Sequence, residues 1–273
     1  MKSPRLIFTL LFDGSSFMMS RNFRLQRVGG VEWLTRNYRF AAVSEAIDEL
    51  MILDVSRGVR DRTAFLDAVR EVSRGSFVPL SLGGGITDLE DALLLLRSGA
   101  DKVVINTSLW LHPGLIEQVA RIAGEQAIIA SVDIRGGCEA SEVMMANGST
   151  PVGNDTGDLL GRLGHLPFGE LMLTSIDRDG TGMGLEMGLL ELLDSSFSHP
   201  VILAGGVGKG EHIADGLADP RVTAVATANL LNFVGDGLAR AREDVRSRGL
   251  DLCVHLPAQS VAALSVNFES EPT

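Results

Sequence analysis

Two glycine runs and a scatter of carboxylates are the residues of this chain whose types and spacing could do chemistry. Gly83-Gly84-Gly85 closes one apolar run, and Gly205-Gly206 with Gly208 closes another. After the next apolar run in each region comes an asparagine, Asn106-Thr107 in the first and Ala228-Asn229 in the second. Glycine reaches positive φ and lets backbone N–H groups approach an oxyanion, and a helix N-terminus beside such a loop adds a favourable dipole. The pattern predicts two phosphate sites on opposite sides of one rim; the competing reading is a pair of tight strand-to-helix turns. Asp133 ends the run Ala127–Asp133, where a partly desolvated carboxylate is suited to general acid/base work. A helix cap or a loop salt bridge is its structural alternative. Arg5, Glu49, Lys102 and Glu170 each open an apolar run, so two cations and two anions are expected to gather on the opposite face. From position alone they read as a structural ion-pair cluster.

Other chemistries find no residues. His112, His165, His199, His212 and His255 show no metal-ligand spacing, so neither a metal nor another cofactor is expected. Cys138 and Cys253 are too few and too isolated for a disulfide framework, which favours a reducing cytoplasm. Met18 and Met19 read as loop packing. A net charge of −11 offers no basic excess for nucleic acid, though backbone donors can still build a local anion site. The N-terminal run to Phe12 reads as a first strand and not a signal peptide, and no apolar stretch has the 18 or so residues of a membrane span.

The elements that must position these residues alternate. Strands are expected at Arg5–Phe12, Glu49–Asp54, Phe77–Leu82, Lys102–Asn106, Ala127–Asp133, Glu170–Ser175, Pro200–Ala204 and Thr223–Thr227. Helices are expected near Val31–Ser44, Arg62–Val72, Asp88–Ser98, Pro113–Ala123, Thr156–Leu163, Glu186–Asp194, Gly210–Leu217 and Asp236–Ser247. Thr87 or Asp88 can cap the third helix. The chain also repeats itself: Glu49–Ser56 resembles Glu170–Asp177 at an offset of 121 (170 − 49), and Gly84 meets Gly205 at the same offset (205 − 84). Eight alternating units with a half-chain repeat predict an α/β fold, a (β/α)8 TIM barrel of two half-barrels, 1–124 and 125–248. An open doubly wound sheet is the competitor. Two long connections, Asp13–Gly30 and Ile134–Asn154, occupy equivalent places in the halves and are expected as functional rim loops. The tail 249–273 reads as a strap with a frayed end.

With Asp48–Asp54 (DELMILD), Leu82–Ile86 (LGGGI), Gly99–Thr107 (GADKVVINT) and Leu173–Thr181 (LTSIDRDGT) in place, the chain resembles the cyclase subunit of imidazole glycerol phosphate synthase over about Arg5–Arg248. The resemblance implies a rim that binds a small molecule phosphorylated at both ends. It implies a glutaminase subunit docked on the N-terminal face, releasing ammonia into the barrel. Carried over by position, phosphate contacts fall on Gly85, Asn106 and Thr107, and on Asp179, Gly180, Gly206, Ala228 and Asn229. Asp133 matches a catalytic acid, Thr174 lies in the matching active-site strand, and Arg5, Glu49, Lys102 and Glu170 match an ionic gate for ammonia.

Strand one departs from that pattern. The repeat places a partner for Asp133 near position 11, and the family has a carboxylate there; this chain has Leu11. Met19 stands where the family's loop carries a catalytic lysine. The nearest acid, Asp13, lies two residues further on. Losing one acid/base group slows such a reaction by about 10²–10⁴. The chain therefore resembles more closely a diverged branch, associated with sugar amidation in surface-glycan synthesis, which works with a glutaminase and a separate sugar amidotransferase. An authentic cyclase of histidine biosynthesis and a non-catalytic phosphate-ligand-binding subunit are the alternatives.

Overall fold

The first strand is apolar throughout because both of its faces are covered. In β1 (Arg5–Asp13), Leu6, Phe8, Leu10 and Phe12 join the layer beneath the helices, while Ile7 joins a separate interior cluster with Met51, Val104, Ile129, Met172 and Ile202. A strand buried on two sides reads as a continuous apolar run. The computed structural model describes residues 4–37, 43, 45–74, 77–138, 140–153, 155–229, 236–250 and 252.

The first half continues with β2 (Ser16–Arg21), β3 (Arg24–Gly29), α1 (Val31–Asn37), β4 (Glu49–Asp54), α2 (Arg62–Ser73), β5 (Leu80–Gly83) and α3 (Leu89–Arg97). Then come β6 (Lys102–Ile105), α4 (Thr107–Leu111) and α5 (Gly114–Ala123). The second half runs β7 (Ile128–Arg135), β8 (Glu142–Met145), β9 (Thr150–Pro151), α6 (Thr156–Leu163), β10 (Glu170–Ser175) and β11 (Val201–Ala204). It ends with α7 (Gly210–Leu217), β12 (Val222–Thr227) and α8 (Gly237–Ser247). The parallel strands are ordered β1-β4-β5-β6-β7-β10-β11-β12, and β12 returns to β1 with Arg5 opposite Ala224 and Phe8 opposite Thr227. That last pairing closes a (β/α)8 barrel and excludes the open sheet. β4 and β10 show the same burial pattern along six positions, as the repeat requires.

Helix ends follow local chemistry. Asp61, Asp88 and Asp155 accept the backbone N–H of Ala64, Asp91 and Asp158, satisfying donors that the first turns leave open. Each apolar helix face then seals the outer layer; Phe65 of α2, fully buried, meets Phe12 with ring centroids 5.8 Å apart. Burying one such ring contributes about 1.5–3 kcal/mol.

The two long connections each contain a hairpin, β2–β3 and β8–β9. Their turns sit at Asn22-Phe23 and Ala146-Asn147-Gly148, all at positive φ; the second carries the Asn-Gly pair that signals such a turn in sequence, the first does not. Two expectations need correction. The segment read as a helix at Glu186–Asp194 is a 3₁₀ helix, Met187–Leu192, whose flanking bonds Leu189 N–Glu186 O and Leu193 N–Leu190 O span three residues. β5 begins at Leu80 and not Phe77, because Pro79 has no N–H for the ladder and Phe77 is exposed. The strap expected over 249–273 lies outside the described residues except at 249, 250 and 252, where Leu252 is buried. Ser44 and Asn154, expected to end a helix and a loop, also lie outside them, as does Cys253. No helix of the described residues is long and apolar enough to cross a membrane.

Candidate active site

All strand ends of one sense open onto a cavity of about 790 Å³. Asp133 and Thr174, adjacent in the β7–β10 register, stand at its wall. So do Gly85, Asn106 and Thr107 from one half and Asp179, Gly180, Gly206, Ala228 and Asn229 from the other. Ten residues drawn from distant parts of the sequence thus share one space.

Asp133 is one of three buried acids lining this space, with Asp54 and Asp179. Burial lifts the Asp133 carboxyl to about 7; the Asn106 side-chain amide, donating to Oδ2 at 2.9 Å, pulls it down, and the Asp179 carboxylate pushes it up. A carboxyl near neutrality is matched to giving and taking a proton at physiological pH. Cavity-lining Asp54 accepts from the Ser56 N–H and lies 3.7 Å from Arg60.

Asp179 has a second task. Ser20 Oγ donates to its Oδ2 at 2.5 Å and the Phe23 N–H at 3.0 Å, while burial raises its carboxyl above the usual range and these two bonds lower it. The Asn22 N–H donates to the Asp179 carbonyl at 2.9 Å. The β2–β3 hairpin is thereby tied across the rim. Gly180 makes the approach possible: at φ +68°, a Cβ there would lie 2.0 Å from the Ser20 carbonyl. The second hairpin is fixed in the same manner, the Ala146 N–H donating to Thr107 Oγ1 at 3.1 Å. Sequence reading missed these anchors and also the arginines that reach the cavity wall, Arg21, Arg24, Arg57 and Arg60.

The departure at strand one is plain in the cavity wall. Leu11 lines the cavity at 8% exposure and Met19, partly buried, lines it as well, so Met19 is more than loop packing. Asp13, the nearest acid in sequence, pairs with Ser16 in the hairpin and is not among the cavity residues.

At the other end of the barrel the four charged residues meet. Arg5 Nη1 donates to Glu49 Oε2 at 2.9 Å, Arg5 Nη2 donates to Glu170 Oε1, and Lys102 Nζ reaches both Glu49 Oε2 and Glu170 Oε2 at 2.8 Å. Ser81 Oγ adds a bond to Glu49 Oε1 at 2.5 Å. Burial alone would raise the Glu170 carboxyl, but Arg5 and Lys102 together hold it below its ordinary value. Behind the ring, buried Asp48 accepts from the Leu6 N–H at 2.7 Å and pairs with both Nη atoms of Arg242 at 3.0 Å, fixing the residues beside Arg5 and Glu49. Directly above lies the apolar interior cluster. Among the described residues no group of His, Cys, Asp and Glu is arranged to hold a metal ion.

A closed (β/α)8 barrel with a cavity at its C-terminal rim, a buried acid and twinned glycine loops defines the class: a barrel built to hold a small ligand at the ends of its strands. Residues 36–235 match the histidine biosynthesis protein family. The chain is 43% identical over 246 residues to hisF2 of Parasynechococcus marenigrum, provisionally named an imidazole glycerol phosphate synthase subunit, covering 90% of this chain and 91% of that one. It is 34% identical over 251 residues to imidazole glycerol phosphate synthase subunit HisF of Pyrobaculum aerophilum, covering 91% and 97%. The chain belongs to the histidine biosynthesis protein family, among its HisF-like cyclase subunits.

Proposed function

We propose that this protein is the ammonia-accepting barrel of a glutamine amidotransferase assembly. A glutaminase subunit docks on the N-terminal face, ammonia passes the ring of Arg5, Glu49, Lys102 and Glu170, and a ligand phosphorylated at both ends is held at the rim. The glycine loops with Asn106, Thr107, Ala228 and Asn229 hold the phosphates, Asp179 and Gly180 help to shape the second site, and Asp133 beside Thr174 moves the proton. The supporting observation is Leu11: an apolar side chain occupies the cavity wall where the repeat calls for a second acid. Ring closure needing two proton-transfer groups is then slow, and ammonia is available to a sugar amidotransferase serving surface-glycan synthesis.

One observation favours a second reading, an authentic imidazole glycerol phosphate synthase cyclase. Asp133 is raised to about 7 and could serve as acid and base in turn. Turnover of the cyclase substrate with excess ammonium separates the two. The unmodified chain is expected to be slow and Leu11→Asp to be faster by more than about tenfold, or about 1.4 kcal/mol of barrier. Near-normal turnover by the unmodified chain would decide for the cyclase.

The gate has its own test in the complex with its glutaminase. Lys102→Ala is expected to change glutamine-dependent activity by about tenfold more than ammonium-dependent activity, since only the former must use the barrel bottom. An equal effect on both would leave the ring as structure alone.

A further inference from the structure

The protein carries a net charge of −11, yet Arg21, Arg24, Arg57 and Arg60 reach the wall of its cavity. Arg57 is engaged, donating from Nη2 to the Phe23 carbonyl at 2.6 Å. Arg60 is not. Its side chain lies over Gly85, so that a Cβ at that glycine would fall 2.5 Å from Arg60 Cδ and Nε and 2.8 Å from Cζ. The Nε is buried without a hydrogen-bond partner, and the ion-pair contact to Asp54 Oδ2, at 3.7 Å, is beyond hydrogen-bond reach.

The other half supplies a comparison. Gly206, the repeat partner of Gly85, also lies beside an arginine: its Cβ would sit 3.0 Å from Arg178 Cβ. Arg178 donates from Nε to Glu186 Oε2 at 3.1 Å and is not among the cavity residues. One arginine therefore hydrogen-bonds a carboxylate through its Nε, while the other, only loosely paired with Asp54, keeps that donor open beside a glycine loop. A buried guanidinium N–H without an acceptor is unfavourable, and its forked donors match the oxygens of a phosphate monoester.

We infer that Arg60 is an anion-binding residue of the first-half cradle, closing over a phosphate monoester seated on Gly84 and Gly85. The inference rests on reading that glycine loop as a phosphate site. It makes the two ends of the cavity unequal, so a ligand with two different phosphorylated ends has a preferred orientation.

Amide chemical-shift titration of the full chain with inorganic phosphate reads the two ends separately, at Gly84 and Gly85 and at Gly205 and Gly206. In Arg60→Gln the dissociation constant at the first pair is expected to rise at least about tenfold, and that at the second to stay within about twofold. Arg60→Lys recovers part of the loss, because lysine keeps the charge but not the fork. Unchanged affinity at Gly84 and Gly85 in Arg60→Gln would overturn the assignment and leave the phosphate reading standing. If the melting temperature of that variant also fell, Arg60 would serve only to neutralise Asp54. Phosphate that shifts neither pair in the unmodified chain would remove the cradle reading itself, and the role of Arg60 with it.

Discussion

Asp133→Asn is expected to stabilise the fold at alkaline pH while removing whatever ring-closing turnover the chain supports. Burial lifts this carboxyl from its ordinary 3.8 to about 7. Between those values the folded chain keeps a proton that the unfolded chain has released. The group's contribution to stability therefore falls as pH rises and is fully lost above the folded value. The displacement corresponds to at most about 4 kcal/mol, a penalty that asparagine does not carry. Melting temperatures of the two chains should converge near about pH 4 and separate steadily up to about pH 8, with the variant higher. Coincident curves would mean that the carboxyl is solvated. If Asp133 moves the proton as proposed, its loss should reduce ammonium-dependent turnover by about 10²–10⁴. A variant as active as the unmodified chain would take Asp133 out of the chemistry.

Arg5→Met should unfold the barrel far more readily. Arg5 bonds both Glu49 and Glu170, whose side chains are 1% and 7% exposed, and its removal leaves Lys102 to serve two buried carboxylates. Breaking a buried charge network on one side costs about 3–5 kcal/mol, because the remaining charge is left uncompensated. For a chain of this size that lowers the melting temperature by roughly 6–20 °C. Adding Glu170→Gln to Arg5→Met restores the balance of charge, and should recover much of the loss. If the double variant melts no higher than the single one, the ring contributes packing and not electrostatics.

Barrel architecture and the paired glycine loops with Asn106 and Asn229 were legible in the sequence because duplication leaves the same signal twice, whereas Thr174, Asp179 and Gly180 came from the family resemblance. Glu49–Asp54 and Glu170–Ser175 could be recognised as equivalent strands, and both match in extent. Asp133 and the glycine loops followed from strand ends, where side-chain direction and backbone exposure are set by the fold itself. What escaped was non-local. The β2–β3 hairpin depends on positive φ at Asn22 and Phe23, held by Asp179 from more than half the chain away, and no local pattern records that bond. Arg60 was silent for the same reason: its meaning comes from lying over Gly85, which only the folded loop arranges. The charged ring was visible as four strand-opening residues, but not the Ser81 and Arg242 contacts that brace it.

The closing seam joins Arg5–Phe8 to Ala224–Thr227. The first barrel strand to leave the ribosome thus keeps one edge without its mate until the last barrel strand has been synthesised. Pairing across such a sequence distance is slow and exposes strand edges meanwhile. During translation the β1–β4 pairing, with Ile7 opposite Glu49 and Phe12 opposite Asp54, is the earlier safeguard, and shutting the ring is a late event.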